Sequence, residues 1–582
     1  MILDYDEAHR VYLIKVQRQA DGVGAIQELM RDHGLDLSIP LSSPQEAVLF
    51  TREPYAAVTF HRYATPAAMR SLSGLIQALD ASRKETSDRN FAIPAGKELW
   101  PYQRGTLEYA LGKTHVLVGD EPGLGKTPIA LAYANEIQAQ RVLIICPAAI
   151  RIQWARRIAE WSTIPWSSRS THLVLNGHHG IHPRANFQII SYDLARTDAL
   201  GRSLAALDFD LLILDEAHYL KTIDSRRTRA IFGGGENRTF APLVERSERV
   251  LALTGTPLPN RPREAYTLAR SLCFDSIDWM SEDRFNARFN PISTGVTQNG
   301  KVGVDERSGR HAELQNRLRA NFLVRHLKKD VLKQLDLPVY DLVVLEETRA
   351  IRQALDAESL LDIDVEEFDG ADLALLGHVS VVRRQMGVAM APSIADYVKL
   401  LLDGGETKIV LFAWHVEVLN ILEERLARYH PVRIDGSTGP KQREHAVHTF
   451  EHDPKCEVII GNLLSMGTGI DGLQTVASHA IIAEPDWVPA NNVQACDRLN
   501  RFGQQRTVQC DLMVAPGSIA EKILASAVRK LGVTTKALDQ QGYMETESGR
   551  QNNWWLGHLS QKSKPRQLRT RGGQRQAGLR HE

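Results

Sequence analysis

A glycine-rich turn carrying one lysine and one threonine is the first place in this chain where residue types and spacing point to chemistry. In HVLVGDEPGLGKTPIALAYANEI an apolar run, Val116–Val118, enters the turn, and Gly125-Lys126-Thr127 opens a helical stretch. That geometry aims backbone N–H groups and a helix N-terminus at phosphate oxygens, with Lys126 neutralising charge and Thr127 holding Mg2+. Asp120 occupies the first glycine position of the strict G-x-x-x-x-G-K-[ST] pattern, and the strand–turn–helix context compensates for it. ATP and Mg2+ are the expected ligands. Downstream, the apolar run Asp208–Leu214 ends in Asp215-Glu216-Ala217-His218. A carboxylate at the end of a parallel strand lies beside such a loop, where Asp215 can hold Mg2+ and Glu216 can orient and polarise the attacking water. RVLALTGTP closes another strand with Thr254-Gly255-Thr256, small residues suited to coupling one site to another. In NNVQACDRLNRFGQQ, read as a helix, Gln494, Arg498 and Arg501 share one face at spacings of four and three. Two arginines from a second lobe would stabilise charge developing on a γ-phosphoryl group. Each motif alone has a plainer reading: a surface turn, an exposed acidic turn, a strand-end turn, a solvated basic face. Their joint occurrence favours the chemical one.

Positioning these residues requires buried parallel strands. From about residue 95 to 275 short apolar strings (HVLVGD, RVLIIC, FQIISY, DLLILD, RVLALTG) alternate with helical stretches, and a second series (KIVLFAW, PVRIDG, CEVIIGN, HAIIAE, VQCDLMVA) follows. Runs of Val, Leu and Ile bounded by turns are what a sheet covered on both faces needs, so the fold class is α/β with two lobes. The expected division is an accessory region of unknown role at 1–90, a first, nucleotide-binding lobe at 95–275, a helical insertion at 276–345, a second lobe at 346–535 and a disordered basic tail at 550–582. ASRKETSDRN (81–90) reads as a linker.

Composition narrows the class without naming a partner. Of 582 residues 43% are hydrophobic and 24% charged, and 70 basic residues balance 70 acidic ones, so contact with a polyanion must come from local patches. The tail is one, with eight Lys or Arg from Arg550 to Glu582 against a single acidic residue. The tail's Trp554-Trp555 could stack on bases or pack at a domain end. Five scattered cysteines with no C-x-x-C exclude an obvious zinc ribbon and point to a reducing compartment. His178, His179 and His182 have no nearby Cys or acidic partner and read as a solvated loop. With no signal-peptide pattern and no apolar run near bilayer length, the expectation is a cytoplasmic protein, nuclear if the source is eukaryotic, with no membrane contact.

The motifs DEPGLGKT, CPAAIRIQW, DEAH, LTGTPLPNRP, LFAWH, GTGIDG and QACDRLNRFGQQ occur in the order and spacing of the superfamily 2 helicase motifs. LWPYQR (99–104), FLVRHLKKDVLKQLDLP (322–338) and WVPANNVQACDRLNRFGQ (487–504) resemble the SWI/SNF-related DNA translocases, and RIDGST and FAWHVEVL are similar to their annealing-helicase (HepA-related) branch. The resemblance spans about 95–530, with no counterpart for 1–90. It implies two RecA-like lobes. It also implies that Gln103 reads adenine and that Gly123, Leu124, Gly125, Lys126 and Thr127 bind the phosphates. Asp215 and Glu216 would serve Mg2+ and water, with Gln494, Arg498 and Arg501 contributed by the second lobe. The implied partner is DNA, double-stranded and read without sequence preference, forks included, contacted around Pro147–Trp154, Ser191-Tyr192, Trp414-His415, Gly436–Thr438 and Ser465–Thr468. The implied activity is a DNA-dependent ATPase that moves on duplex DNA by cyclic lobe closure and remodels forks or DNA–protein complexes. A strand-separating helicase shares every catalytic residue, and an ATP-gated scaffold without turnover is the alternative of another class. Three departures stand out: Pro122 where the family has Met, Asp471 where remodellers have Asn, and His326 in place of the second Arg of an Arg-Arg pair.

Overall fold

The computed structural model describes residues 1–17, 23–165, 169–234, 239–258, 262–290, 292–296, 302–306, 310–332, 335–336, 338–359, 373–467, 470–486, 488–518, 521 and 524. Thr468, Trp487, Trp554, Trp555 and the basic tail lie outside them.

Strands β1 (Ile2–Asp6), β2 (Val11–Gln17), β3 (Asp36–Leu37) and β4 (Glu46–Thr51) form an antiparallel sheet in the order β1-β2-β4-β3. Alternation in β2 turns Tyr12 and Ile14 inward, where they pack with Leu3, Leu49, Phe60 and Leu72. This unit is anchored on the helix His311–Asn321 through Arg317, which is 1% exposed and pairs with Glu53 (2.5 Å), Asp278 (2.8 Å) and Glu313 (2.9 Å). Residues 81–90 are also fixed. Arg104 donates to the carbonyl oxygens of Ser87 and Arg89, both at 2.8 Å, and a Cβ at Gly105 would overlap the Lys84 carbonyl oxygen. The polar composition that suggests a linker instead covers the start of the first lobe.

The first lobe contains β5 (His115–Val118), β6 (Val142–Cys146), β7 (Thr171–Leu173), β8 (Phe187–Ser191), β9 (Phe209–Asp215) and β10 (Ser247–Leu253). Beyond a hairpin of β11 (Ile292–Val296) and β12 (Val302–Glu306), the strand β13 (Leu323–Val324) completes a parallel sheet in the order β13-β5-β10-β9-β6-β8-β7. Its central strands are buried on both faces, each face covered by its own apolar cluster. The second lobe is a parallel sheet of β14 (Val339–Val344), β15 (Ile409–Ala413), β16 (Val432–Ile434), β17 (Val458–Asn462), β18 (His479–Ile482) and β19 (Gln509–Val514), ordered β14-β19-β18-β15-β17-β16. Residues 276–345, expected as a helical insertion, therefore hold helices and a hairpin and also give one edge strand to each sheet. Among the described residues no helix is long and apolar enough to cross a membrane.

Register explains why three motifs converge. Strands β5, β10 and β9 are neighbours, and Leu253 pairs with both Val118 and Asp215. The turn after β5, the acidic pair after β9 and Thr254 after β10 all leave the sheet at one level on its carboxyl edge, where open α/β sheets place their ligands.

Candidate nucleotide-binding site

The turn after β5 depends on two glycines in left-handed conformation, Gly123 (φ 87°) and Gly125 (φ 72°). Both are crowded. A Cβ at Gly125 would lie 2.5 Å from Gln103 Nε2, and one at Gly123 would lie 2.9 Å from Arg501 Cβ. The helix Lys126–Glu136 follows directly, with Lys126 Nζ turned back to donate to the carbonyl oxygens of Asp120 (2.7 Å) and Glu121 (3.2 Å). Burial pushes the Lys126 ammonium below its ordinary pKa, against the pull of Glu216, Asp120 and Asp215. Gln103 accepts from the Trp100 backbone N–H (2.9 Å) and donates to the Leu124 carbonyl (3.1 Å), which also accepts from the Tyr102 hydroxyl (3.1 Å).

Asp120, in the unusual first position, is fully buried and accepts from the backbone N–H of His326 (2.8 Å), with His326 Nδ1 at 3.0 Å and Thr106 Oγ1 at 3.1 Å. Although burial opposes both charges, each holds the other, so Asp120 stays below and His326 above its ordinary pKa. His326 thus fastens the loop to the strand β13, while its neighbour Arg325 donates to the Gly119 (2.5 Å) and Gly255 (3.3 Å) carbonyls.

The acidic pair is held from several sides. Asp215 accepts from the Trp154 indole N–H (2.8 Å) and the Glu216 backbone N–H (3.0 Å), and its carbonyl accepts from the Tyr192 hydroxyl (2.8 Å). Burial, then the adjacent Glu216 charge, raises the Asp215 carboxyl to about 6. Glu216 sits at φ 55° and is kept below its ordinary pKa, despite burial, by His218, Lys126 and Arg498. His218 Nδ1 lies 3.2 Å from Glu216 Oε2 and 3.0 Å from Thr254 Oγ1, so the acidic turn and the Thr-Gly-Thr turn share one imidazole. Trp154 and Tyr192, which the family resemblance places on the track, are 2% and 3% exposed and reach Asp215 from inside. Sequence reading missed that role and the bridging role of His218.

From the second lobe, Gln494 Nε2 comes 3.5 Å from Glu216 Oε1. The helix carrying it spans Pro489–Cys496, so Arg498 and Arg501 lie beyond its end, in turns. The expected single helix is interrupted because the buried Lys328 ammonium takes both Asp497 Oδ1 (2.5 Å) and the Asn500 carbonyl (2.6 Å), bending the chain around itself. Both arginines still face the cleft. Arg498 donates to the Gln494 and Ile470 carbonyls (3.3 Å each), and burial, then neighbouring Arg501, lowers it to about 10. Arg501 pairs with Asp471 (2.7 Å), whose other oxygen takes Arg157 of the first lobe (3.1 Å). The Asp471 departure therefore supplies an inter-lobe bridge, beside a second one from Arg156 to Glu444 (2.7 Å). Cys496 is disulfide-paired with Cys510 of β19, a link the scattered cysteine pattern does not signal.

These groups enclose a cleft of about 740 Å3 whose lining includes Gly123, Gly125, Lys126, Thr127, Asp215, Glu216, Asp471, Arg498 and Arg501. Gln103, Leu124 and Gln494 stand behind that lining, through the contacts given above. Two parallel-sheet lobes meeting over a phosphate-type loop, with an acidic pair on one side and arginines on the other, define a two-lobed core of helicase type. An SNF2-related domain matches residues 102–354 and a helicase conserved C-terminal domain matches residues 393–503. The chain thus carries an SNF2-related domain followed by a helicase C-terminal domain. It is similar to the DNA annealing helicase and endonuclease ZRANB3 of Mus musculus, 29% identical over 76% of this chain and 41% of that protein. It is also similar to the SWI/SNF-related matrix-associated actin-dependent regulator of chromatin subfamily A-like protein 1 of Xenopus laevis, 28% identical over 77% of this chain and 45% of that protein. The chain thus spans less than half the length of these relatives. Among solved structures, the SWI2/SNF2 ATPase core of Sulfolobus solfataricus in complex with dsDNA matches over 78% of this chain and 99% of its own, at 18% identity and a TM-score of 0.36.

Proposed function

We propose that this chain is a DNA-stimulated ATPase that moves along duplex DNA and remodels forks or DNA–protein complexes. The observation that carries the reading is the single cleft in which Lys126, Thr127, Asp215 and Glu216 of one lobe face Arg498 and Arg501 of the other. Lys126 and the loop amides bind the phosphates, Glu216 orients the attacking water, and the arginines stabilise charge on the transferred phosphoryl group. Gln103 and Gln494 serve the base side and the acidic side. A hydroxyl and a buried carboxylate are hard oxygen donors that suit Mg2+, which takes few protein ligands beside phosphate, so Thr127 and Asp215 would hold it. Bound there it neutralises phosphate charge. Arg157–Asp471–Arg501 and Arg156–Glu444 join the lobes across the cleft, which supports a cycle in which nucleotide favours closure and its hydrolysis releases it. ZRANB3 is named a DNA annealing helicase, and fork-type DNA is the substrate proposed by that likeness.

The test is steady-state ATP turnover with single-stranded, duplex and forked DNA and with RNA, for the wild type, Lys126→Ala and Glu216→Gln. Stimulation by duplex or forked DNA that both substitutions abolish is expected. Turnover that stays at background with every nucleic acid, unchanged by Glu216→Gln, refutes the motor. Efficient unwinding of blunt duplex makes the chain a strand-separating helicase instead.

A further inference from the structure

One carboxylate stands among the arginines of the cleft. Asp471 of the second lobe lines the cavity together with Arg157, Arg498 and Arg501. Arg501 Nη1 donates to Asp471 Oδ1 at 2.7 Å and to the Ile470 carbonyl at 3.2 Å, and Arg157 Nη2 of the first lobe donates to Asp471 Oδ2 at 3.1 Å. Partial burial raises the Asp471 carboxyl, yet Arg501, then Arg157 and Arg498, hold it below its ordinary pKa, so it is charged at neutral pH. The Arg501 backbone meanwhile abuts the phosphate loop: a Cβ on Gly123 would lie 2.9 Å from Arg501 Cβ. An arginine beside the phosphate loop therefore has its guanidinium taken by a side chain of its own lobe. Asp471 presents to Arg501 what a phosphate would, a negatively charged oxygen acceptor. The cleft that gathers an anionic ligand already holds an anion.

We propose that Asp471 is a resident competitor of the triphosphate for Arg501, so that nucleotide must displace this carboxylate before Arg501 reaches the phosphates. The proposal rests on the nucleotide reading above and deepens it, by naming a residue that sets how tightly the cleft takes its ligand. The exchange strands no charge. When Arg501 moves to a phosphate, Asp471 keeps Arg157, and a carboxylate with a remaining countercharge avoids the penalty of being left unpaired. Arg498 donates to the backbone carbonyls of Gln494 and Ile470, so the competition falls on Arg501. An Asn at position 471 would offer Arg501 only a neutral acceptor, and hydrogen bonds between ionised partners are roughly twice as strong as neutral ones. The departure at this position therefore converts a weak neighbour of Arg501 into a holding contact.

The test is equilibrium binding of ATP and of inorganic tripolyphosphate, which has neither base nor sugar, to the wild type, Asp471→Asn, Arg501→Ala, their double variant and Arg157→Ala. Asn is isosteric with Asp, so the fold is kept. Asp471→Asn is expected to lower the Kd for both ligands about five-fold (~1 kcal/mol), the size of one half-exposed ion pair. In the Arg501→Ala background the same substitution should change either Kd less than about two-fold. Arg157→Ala loosens the bridge between lobes but leaves Asp471 on Arg501, and should tighten neither ligand. An unchanged or raised Kd for both ligands in Asp471→Asn would overturn the proposal. A full gain that persists without Arg501 would reduce Asp471 to a charge that merely repels the ligand, and an equal gain in Arg157→Ala would trace the effect to loosened lobes. Weaker binding of ATP alone would put the carboxylate on the sugar. Each of these results also sinks the competition. A wild type that binds neither ligand instead refutes the nucleotide reading itself.

Discussion

Replacing Lys328 by Met should unfasten the phosphate loop from the arginine turn. The Lys328 ammonium is 2.5 Å from Asp497 Oδ1 and 2.6 Å from the Asn500 carbonyl, and its backbone N–H donates to Glu121 Oε2 at 2.6 Å. Lys328 and Asp497 are both about 5% exposed, and Asp497 directly precedes Arg498. Met fills similar space but leaves the Asp497 carboxylate buried without its countercharge, a change that costs about 3–5 kcal/mol. Burial already raises Glu121, with Arg325 and Lys328 holding it down, so the same substitution strips a second carboxylate of support. At roughly 2–4 °C per kcal/mol for a lobe of this size, the melting temperature of the second lobe should fall by about 10 °C. Loss of the clamp on the arginine turn should also lower kcat/KM for ATP by more than about ten-fold. The double variant Lys328→Met/Asp497→Leu removes both charges of the pair and should lose less stability than Lys328→Met alone, the cost at Glu121 remaining. The assay is a double-mutant cycle in thermal melting, run beside ATP turnover. A double variant destabilised by the sum of the single losses would show that the two side chains do not act as a pair, and the reasoning would fail.

Four further outcomes follow from the contacts described above. Because the Asp215 carboxyl titrates at about 6, kcat/KM for ATP should fall as pH drops through 6, and raising Mg2+ should move that acid limb lower; an acid limb indifferent to Mg2+ removes Asp215 from the metal site. Stability runs the other way. Asp215 binds its proton more tightly folded than unfolded, so its contribution to stability rises as pH falls from about 6 toward 3.8, which melting across that range should record for wild type against Asp215→Asn. Trp154→Phe deletes the indole N–H that favours the charged form of Asp215, and should shift the acid limb of the rate profile upward by about one pH unit with the fold retained. Gly105→Ala forces a Cβ against the Lys84 carbonyl and should cost about 1–3 kcal/mol, read as faster proteolysis within 81–90; unchanged cleavage would mean that this segment is not held as described.

The parts of this molecule that sequence reading reached share one property: their signal is local. Apolar runs such as VLIIC and LLILD, bounded by turns, are what a buried strand needs, and a Gly-rich turn between a strand and a helix fixes its own geometry. Elements of two or three residues, β7 and β13, are too short to show a period, and β13 is recruited by pairing with β5. The same limit explains the interrupted helix. Residues 489–501 carry helix-compatible residues throughout, and what stops the helix at Cys496 is a lysine some 170 positions earlier. Asp471, Lys328, Asp497 and Arg157 look in sequence like ordinary surface charges, since composition records types and not partners. Their pairing is nevertheless what joins one lobe to the other. Hydrolytic groups within one lobe are therefore legible from motifs, whereas the coupling between lobes is written in long-range ion pairs. The departures Asp471 and His326 bear this out: as substitutions in a motif they look like weakened sites, and in the folded chain each has a charged partner that gives it work at the cleft.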